Sequence, residues 1–117
     1  MTLAACCAPI LDGMPAPTAV QLMRSRYTAF ALLDREHLLR TWHPRTRPAD
    51  LDLDAALQWQ GLSISETTGG EEGDDEGTVT FRAHWLDRSS GERGTLAERS
   101  TFRRRGARWF YLDGEIL

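Results

Sequence analysis

The stretch Thr78-Val-Thr-Phe-Arg-Ala-His-Trp-Leu86 decides the fold class. Val79, Phe81, Ala83 and Trp85 fall on one side of an extended chain, and Thr78, Thr80, Arg82 and His84 on the other. A strict period of two marks an antiparallel strand with one face on a core and the other toward water. On its N-terminal side lies the glycine-rich acidic turn Gly69 to Gly77, and before that Trp59, Leu62 and Ile64 predict a first strand reaching Thr67. On its C-terminal side Arg88-Ser-Ser-Gly91 turns the chain into Thr95 to Arg104. There Leu96, Glu98, Ser100 and Phe102 share one face, and Ala97, Arg99, Thr101 and Arg103 the other. Arg105-Gly106 leads into Trp109 to Leu112, which is apolar on both faces and is expected to be central or covered.

Upstream the period is helical. Thr18-Ala-Val-Gln21 reads as a capping box, with the Thr hydroxyl accepting from an orphan N–H and Gln21 reaching back. Ala19, Leu22, Met23, Tyr27, Phe30 and Leu33 then recur at helical spacing, predicting a long helix that ends near Leu33. Asp34 is a second N-cap, for a short helix carrying Leu38, Leu39 and Trp42 that His43-Pro44 stops. A further helical turn is expected over residues 50–57. Helices first and hairpin-linked strands afterwards, with no βαβ alternation, exclude a doubly wound sheet and give α+β. Residues 1–17, with Pro9, Pro15 and Pro17, form an irregular segment, and 18–117 a single domain.

Composition removes several classes of chemistry. All 14 basic residues are Arg, so Schiff-base chemistry and a phosphate-loop Lys are excluded on this chain. There is no Asn, hence no N-glycosylation acceptor. Net charge is −3, which offers no global attraction to nucleic acid or anionic membrane, and neither is expected as a partner. No apolar run approaches the roughly 20 residues of a membrane-crossing helix, and the start lacks a signal-peptide pattern, so a cytoplasmic location is expected. Cys6 and Cys7 are adjacent, which is unsuited to a disulfide framework. Nine acidic residues and no basic one lie between Asp50 and Phe81, while Arg99, Arg103, Arg104, Arg105 and Arg108 cluster later. Opposite charges on neighbouring strands support register.

Several strings carry a family resemblance. Ala16-Pro-Thr-Ala-Val-Gln-Leu-Met-Arg-Ser-Arg-Tyr-Thr-Ala-Phe30, Thr41-Trp-His-Pro44, Trp59-Gln-Gly-Leu62, Gly77 to Ala83, Glu98-Arg-Ser-Thr-Phe102 and Trp109 to Gly114 resemble the YchJ-like family of uncharacterised bacterial proteins. The resemblance implies a nuclear transport factor 2-like (cystatin-like) cone, in which N-terminal helices pack on a curved antiparallel sheet. It implies no assigned activity. Relatives often begin with a SEC-C motif, a zinc-binding Cys-x-Cys followed by a Cys-Cys or Cys-His pair; here Cys6-Cys7 match only the second pair. A four-ligand zinc site built on that remnant would need a second chain or His37, His43 or His84. No metal and no cofactor is expected.

In such a cone a pocket lies between the sheet's concave face and the helices. Glu98 and Ser100 interrupt the apolar row of Leu96 and Phe102, and a carboxylate on an apolar wall needs a partner. The structural role would be an ion pair with Arg24 or Arg26, locking helix to sheet. The functional role would be a ligand anchor or general base, with His43 as its acid–base companion; a helix-capping imidazole is the structural alternative for His43. Tyr27 is expected in the core with its hydroxyl at the pocket mouth, and an inward Arg24 or Arg26 could hold an anionic ligand group. Trp42, Trp59, Trp85 and Trp109 are core candidates, with an aromatic pocket wall as the alternative. The expected ligand-binding set is Arg24, Arg26, Tyr27, His43, Trp59, Glu98 and Ser100, and the catalytic candidates are Glu98 and His43. The leading function is binding of a small ligand or a partner protein through the pocket. The alternatives are a small acid–base enzyme of the isomerase or dehydratase kind, and a pure interaction domain that dimerises through its sheet.

Overall fold

The computed structural model describes Gly13 and residues 15–117. Most of the N-terminal segment, with Cys6 and Cys7, lies outside the described residues. Helix α1 spans Ala19–Leu32 and helix α2 Arg35–Arg40. Strands β1 (Leu57–Gly69), β2 (Glu76–Asp87), β3 (Arg93–Arg105) and β4 (Arg108–Ile116) follow, antiparallel throughout and in the order β1-β2-β3-β4. The helices pack on one face of this curved meander, an α+β arrangement.

Local chemistry sets the helix ends. The Thr18 hydroxyl accepts from the Gln21 N–H and donates to Gln21 Oε1, each at 3.2 Å. The capping box therefore closes through the hydroxyl rather than through the Thr18 backbone N–H. The Ala19 N–H donates to Gly70 O at 2.9 Å, so the β1–β2 turn satisfies one orphan donor of α1. Gly70 has φ +75°, and a Cβ there would run into Ala19, so glycine is required on both counts. At the other end Leu33 takes the left-handed conformation, φ 58°, and its N–H bonds the carbonyls of Ala29 and Phe30. Asp34 caps α2 as expected, accepting from the His37 N–H at 3.1 Å. No helix forms over residues 50–57: residues 51–54 are irregular and β1 begins at Leu57. Two aspartates in this segment turn their side chains to nearby backbone instead, Asp50 accepting from the Leu51 N–H and Asp54 from the Ala56 N–H.

A register shift between Trp59 and Gly61 puts Trp59 and Leu62 on the same face despite their odd spacing. Further shifts fall between Ile64 and Glu66 and between Thr101 and Phe102, and such bulges bend long strands around the helix. The core joins Ala19, Leu22 and Met23 of α1 to Val79, Phe81, Ala83, Phe102 and Trp109 of the sheet. β4 is an edge strand rather than a central one. It is covered by residues 41–43, which lay a short parallel bridge along it: Tyr111 N–H donates to Thr41 O at 2.8 Å and His43 N–H to Tyr111 O at 2.7 Å. The Thr46 hydroxyl adds a bond to Leu112 O at 2.5 Å, pinning the following turn to the same strand.

Candidate functional site

A cavity of about 250 Å³ opens between α1 and the concave face of the sheet. Met23, Phe30, Trp59, Phe81, Ala83 and Leu96 give it an apolar wall. Tyr27 meets Trp59 edge-on at 6.2 Å between ring centroids, and Phe30 meets Trp59 at 6.3 Å. Arg26, Trp42, Tyr111, Glu98 and Ser100 form a polar wall.

Arg26 is only 3% exposed. Its Nη1 donates to Leu38 O at 2.8 Å and to Thr41 Oγ1 at 2.7 Å, tying the middle of α1 to the end of α2. The guanidinium lies 5.2 Å from the Trp42 ring centroid and 4.6 Å from that of Tyr111, so two aromatic faces replace lost hydration. Burial lowers its pKa to about 10, partly countered by Tyr111 and Glu98, and it stays charged at neutral pH. Burial and the Glu98 charge push the Tyr111 hydroxyl up to about 12, against the pull of Arg26. Burial also raises Tyr27, against a hydrogen bond with the Gly61 backbone.

Glu98 Oε2 accepts from Ser100 Oγ at 2.6 Å. No ion pair joins Glu98 to Arg26 or Arg24 among the described residues. The expected helix-to-sheet salt bridge is absent: Arg26 Nη1 is turned to Leu38 O of α2 and to Thr41 just beyond it, while Arg24 faces solvent on the opposite side of α1. The indole N–H of Trp42 is buried and lacks a hydrogen-bond partner among the described residues. An unpaired buried donor costs about 1–3 kcal/mol. The polar wall thus holds one positive charge, one negative charge and a hydroxyl committed to Glu98.

Five of the seven expected ligand-binding residues line this cavity: Arg26, Tyr27, Trp59, Glu98 and Ser100. Arg24 and His43 do not. His43 sits beyond β4, where its ring packs against Phe110 at 6.1 Å, and strand alternation puts Phe110 on the face opposite cavity-lining Tyr111. The structure therefore does not bring His43 and Glu98 together as an acid–base pair. Nor does the imidazole cap a helix: its Nδ1 accepts the Arg45 N–H at 3.1 Å. Three participants stand outside the expected ligand-binding and catalytic sets, Trp42 having entered only as an alternative pocket-wall aromatic. Trp42 and Tyr111 meet only through the parallel bridge, and their rings stack edge-on at 5.0 Å. The pairing of Phe102 with Tyr111 is the signal that puts Tyr111 on the concave face.

His37 is the third, a fully buried imidazole behind the site. Ser25 Oγ donates to Leu22 O at 2.7 Å, so it can only accept from His37 Nε2 at 3.0 Å. Nδ1 is then left to accept from Arg40 Nη2 at 2.9 Å. Burial, then the Arg40 charge, lower its pKa to about 4. His37 is a neutral structural link between α1 and α2. No group of three or more metal-binding side chains exists among the described residues. No described helix is long and apolar enough to cross a membrane.

Comparison with known proteins places this geometry. Residues 18–114 match the family described as YchJ, middle NTF2-like domain. A UPF0225 protein of Streptomyces avermitilis is 52% identical over 97% of this chain and 77% of its own length. Another, from Streptomyces coelicolor, is 51% identical over 96% of this chain and 86% of its own. The solution structure of a SEC-C motif containing protein from Rhodopseudomonas palustris superposes with a TM-score of 0.84 at 32% identity, covering 99% of this chain and 92% of that one. A SEC-C motif containing protein from Psychrobacter arcticus gives 0.78 at 28% identity, over 100% and 73%. By the match of its sequence and the agreement of its fold, the chain belongs to the YchJ middle-domain family of NTF2-like proteins, the uncharacterised UPF0225 group.

Proposed function

We propose that this domain binds a small, largely apolar, uncharged ligand in the cavity between α1 and the sheet. The single observation that carries the reading is the polar wall: Glu98, outside any ion pair, shares one largely apolar cavity with the buried Arg26. Arg26 and Glu98 offset each other, so the lining has no net charge to attract an ion. A neutral ligand end that donates, such as a primary amide or an alcohol, fits the Glu98 carboxylate acceptor. Trp59, Phe30 and Leu96 take the apolar body. Thermal-shift screening of neutral metabolites against the native domain and the Glu98→Gln variant tests this. Hits lost in the variant support the reading, and the absence of hits on the native domain opposes it.

A second reading has one specific observation in its favour. A carboxylate outside any ion pair in a largely apolar cavity is an arrangement that small proton-transfer enzymes use. Glu98 would act alone, since His43 lies elsewhere. Turnover of a ligand found in the screen, abolished in Glu98→Gln while binding persists, distinguishes this reading from simple binding. The convex face of β2 and β3 shows Thr78, Thr80, Arg82, Arg99 and Thr101, so a homodimer formed through the sheet would be polar and sensitive to salt.

A further inference from the structure

We propose that the turn carrying His43 and the open end of the β3–β4 hairpin together form a binding site for a phosphate group, separate from the cavity. Two segments about 60 residues apart in sequence meet there. The bridge between Trp42 and Tyr111 holds the turn against β4, and the Thr46 hydroxyl bonded to Leu112 O holds its far side. Arg45 and Arg47 come from the turn, Arg103 and Arg105 from β3, and Phe110 from β4.

The imidazole sits among these charges with a fixed tautomer. His43 Nδ1 accepts from the Arg45 backbone N–H at 3.1 Å, so in the neutral ring the proton is on Nε2. Nε2 has no partner among the described residues. Partial burial, and then the charges of Arg105, Arg103, Arg45 and Arg47, all positive, lower its pKa. No carboxylate counts among them. Arg103 reaches Glu76 at 3.5 Å, and Arg47 donates to Trp42 O at 3.0 and 2.8 Å, which orients its guanidinium. Arg45 and Arg105 make no ion pair among the described residues.

Arg105 also stands opposite Arg108 in the hairpin register, and Arg108 is turned to Gly13 O at 3.0 Å, which leaves the Arg105 charge to the site. Several guanidinium forks around a neutral N–H donor match a phosphate, which offers three acceptor oxygens and up to two negative charges. Phe110, beside the imidazole, offers a face to an aromatic group attached to that phosphate. The sequence shows only the run Arg103-Arg104-Arg105; the fold adds Arg45 and Arg47 and turns Arg104 away, toward Asp75 at 3.1 Å.

The test is the titration of His43 followed by NMR on the whole chain, in phosphate and in chloride at matched ionic strength. Bound phosphate should raise the His43 midpoint by about one pH unit over chloride. The double substitution Arg45→Gln, Arg105→Gln should abolish that rise, and Arg82→Gln, an exposed arginine on β2, should preserve it. Adenosine monophosphate and a short single-stranded oligoribonucleotide carry the same group. A rise with either supports the site, and the one acting at lower concentration identifies the source as free nucleotide or strand. Equal midpoints in phosphate and chloride, or a rise that survives the double substitution, overturn the proposal.

Discussion

The carboxylate of Glu98 rests on Gly114: a methyl group at Gly114 would stand 2.5 Å from the Glu98 carboxyl carbon. Gly114 pairs with Ser100 across the β3–β4 ladder, and Ser100 also holds Glu98. Glycine at this position gives the carboxylate its place in the cavity. Gly114→Ala should push the carboxylate off Ser100 while leaving the fold nearly unchanged, because the obstructing atoms are the mobile end of a side chain. The expected outcome is a loss of stability below about 1 kcal/mol by urea denaturation. Any cavity ligand should bind several-fold more weakly, although the carboxylate itself is still present.

Arg26 is the joint between the helices. Arg26→Met removes donors from Leu38 O and Thr41 Oγ1 and a cation from between two rings, and should cost about 2–4 kcal/mol. Arg26→Lys should recover little of it, since an ammonium lacks the planar fork that stacks and bonds together. Urea midpoints of the three proteins check both statements.

His37 makes the fold acid-labile. Its folded pKa, about 4, lies below the unfolded value of 6.5, so between those limits the unfolded chain binds a proton that the folded chain refuses. Its stabilising contribution is complete above about pH 6.5 and is lost as pH falls toward 4, by on the order of 2–3 kcal/mol. In His37→Gln, which keeps a donor for Ser25, the difference in urea midpoint between pH 7.5 and pH 4.5 should shrink.

Leu33 ends α1 with φ 58°, a conformation that costs a β-carbon about 1 kcal/mol or more. Its side chain is 45% exposed, so little packing is at stake. Leu33→Gly should therefore raise the melting temperature by a few degrees, equivalent to about 0.5–1 kcal/mol. A fall would show that the leucine makes a contact worth more than its strain.

The parts of this fold that could be read from sequence are those governed by period and local chemistry. The alternation through Val79 to Trp85, the Asp34 cap and the inward row Leu96, Glu98, Ser100 and Phe102 all rest on neighbours within a few residues. Glu98 and Ser100 followed from that row and Tyr27 from the α1 face. What could not be read depends on contacts between distant segments. Nothing local tells whether Arg26 reaches Glu98 or Leu38, and the choice is made by how α2 folds back. His43 looked like a pocket residue because it follows Trp42, yet the parallel bridge to Tyr111 directs the two side chains to different sides of β4. The Trp59-to-Leu62 spacing was ambiguous for the same reason, since a bulge is a property of the pair of strands.

The most direct test of the cavity as a ligand site is the indole N–H spectrum of the four tryptophans during titration with 2-naphthamide, beside 2-naphthoate. Trp42 and Trp59 line the cavity, and Trp85 and Trp109 do not. The account predicts saturable shifts at Trp42 and Trp59 alone. The charged naphthoate, facing Glu98, should bind more weakly than the amide. No saturable shift with either compound, or equal shifts at all four indoles, would contradict it.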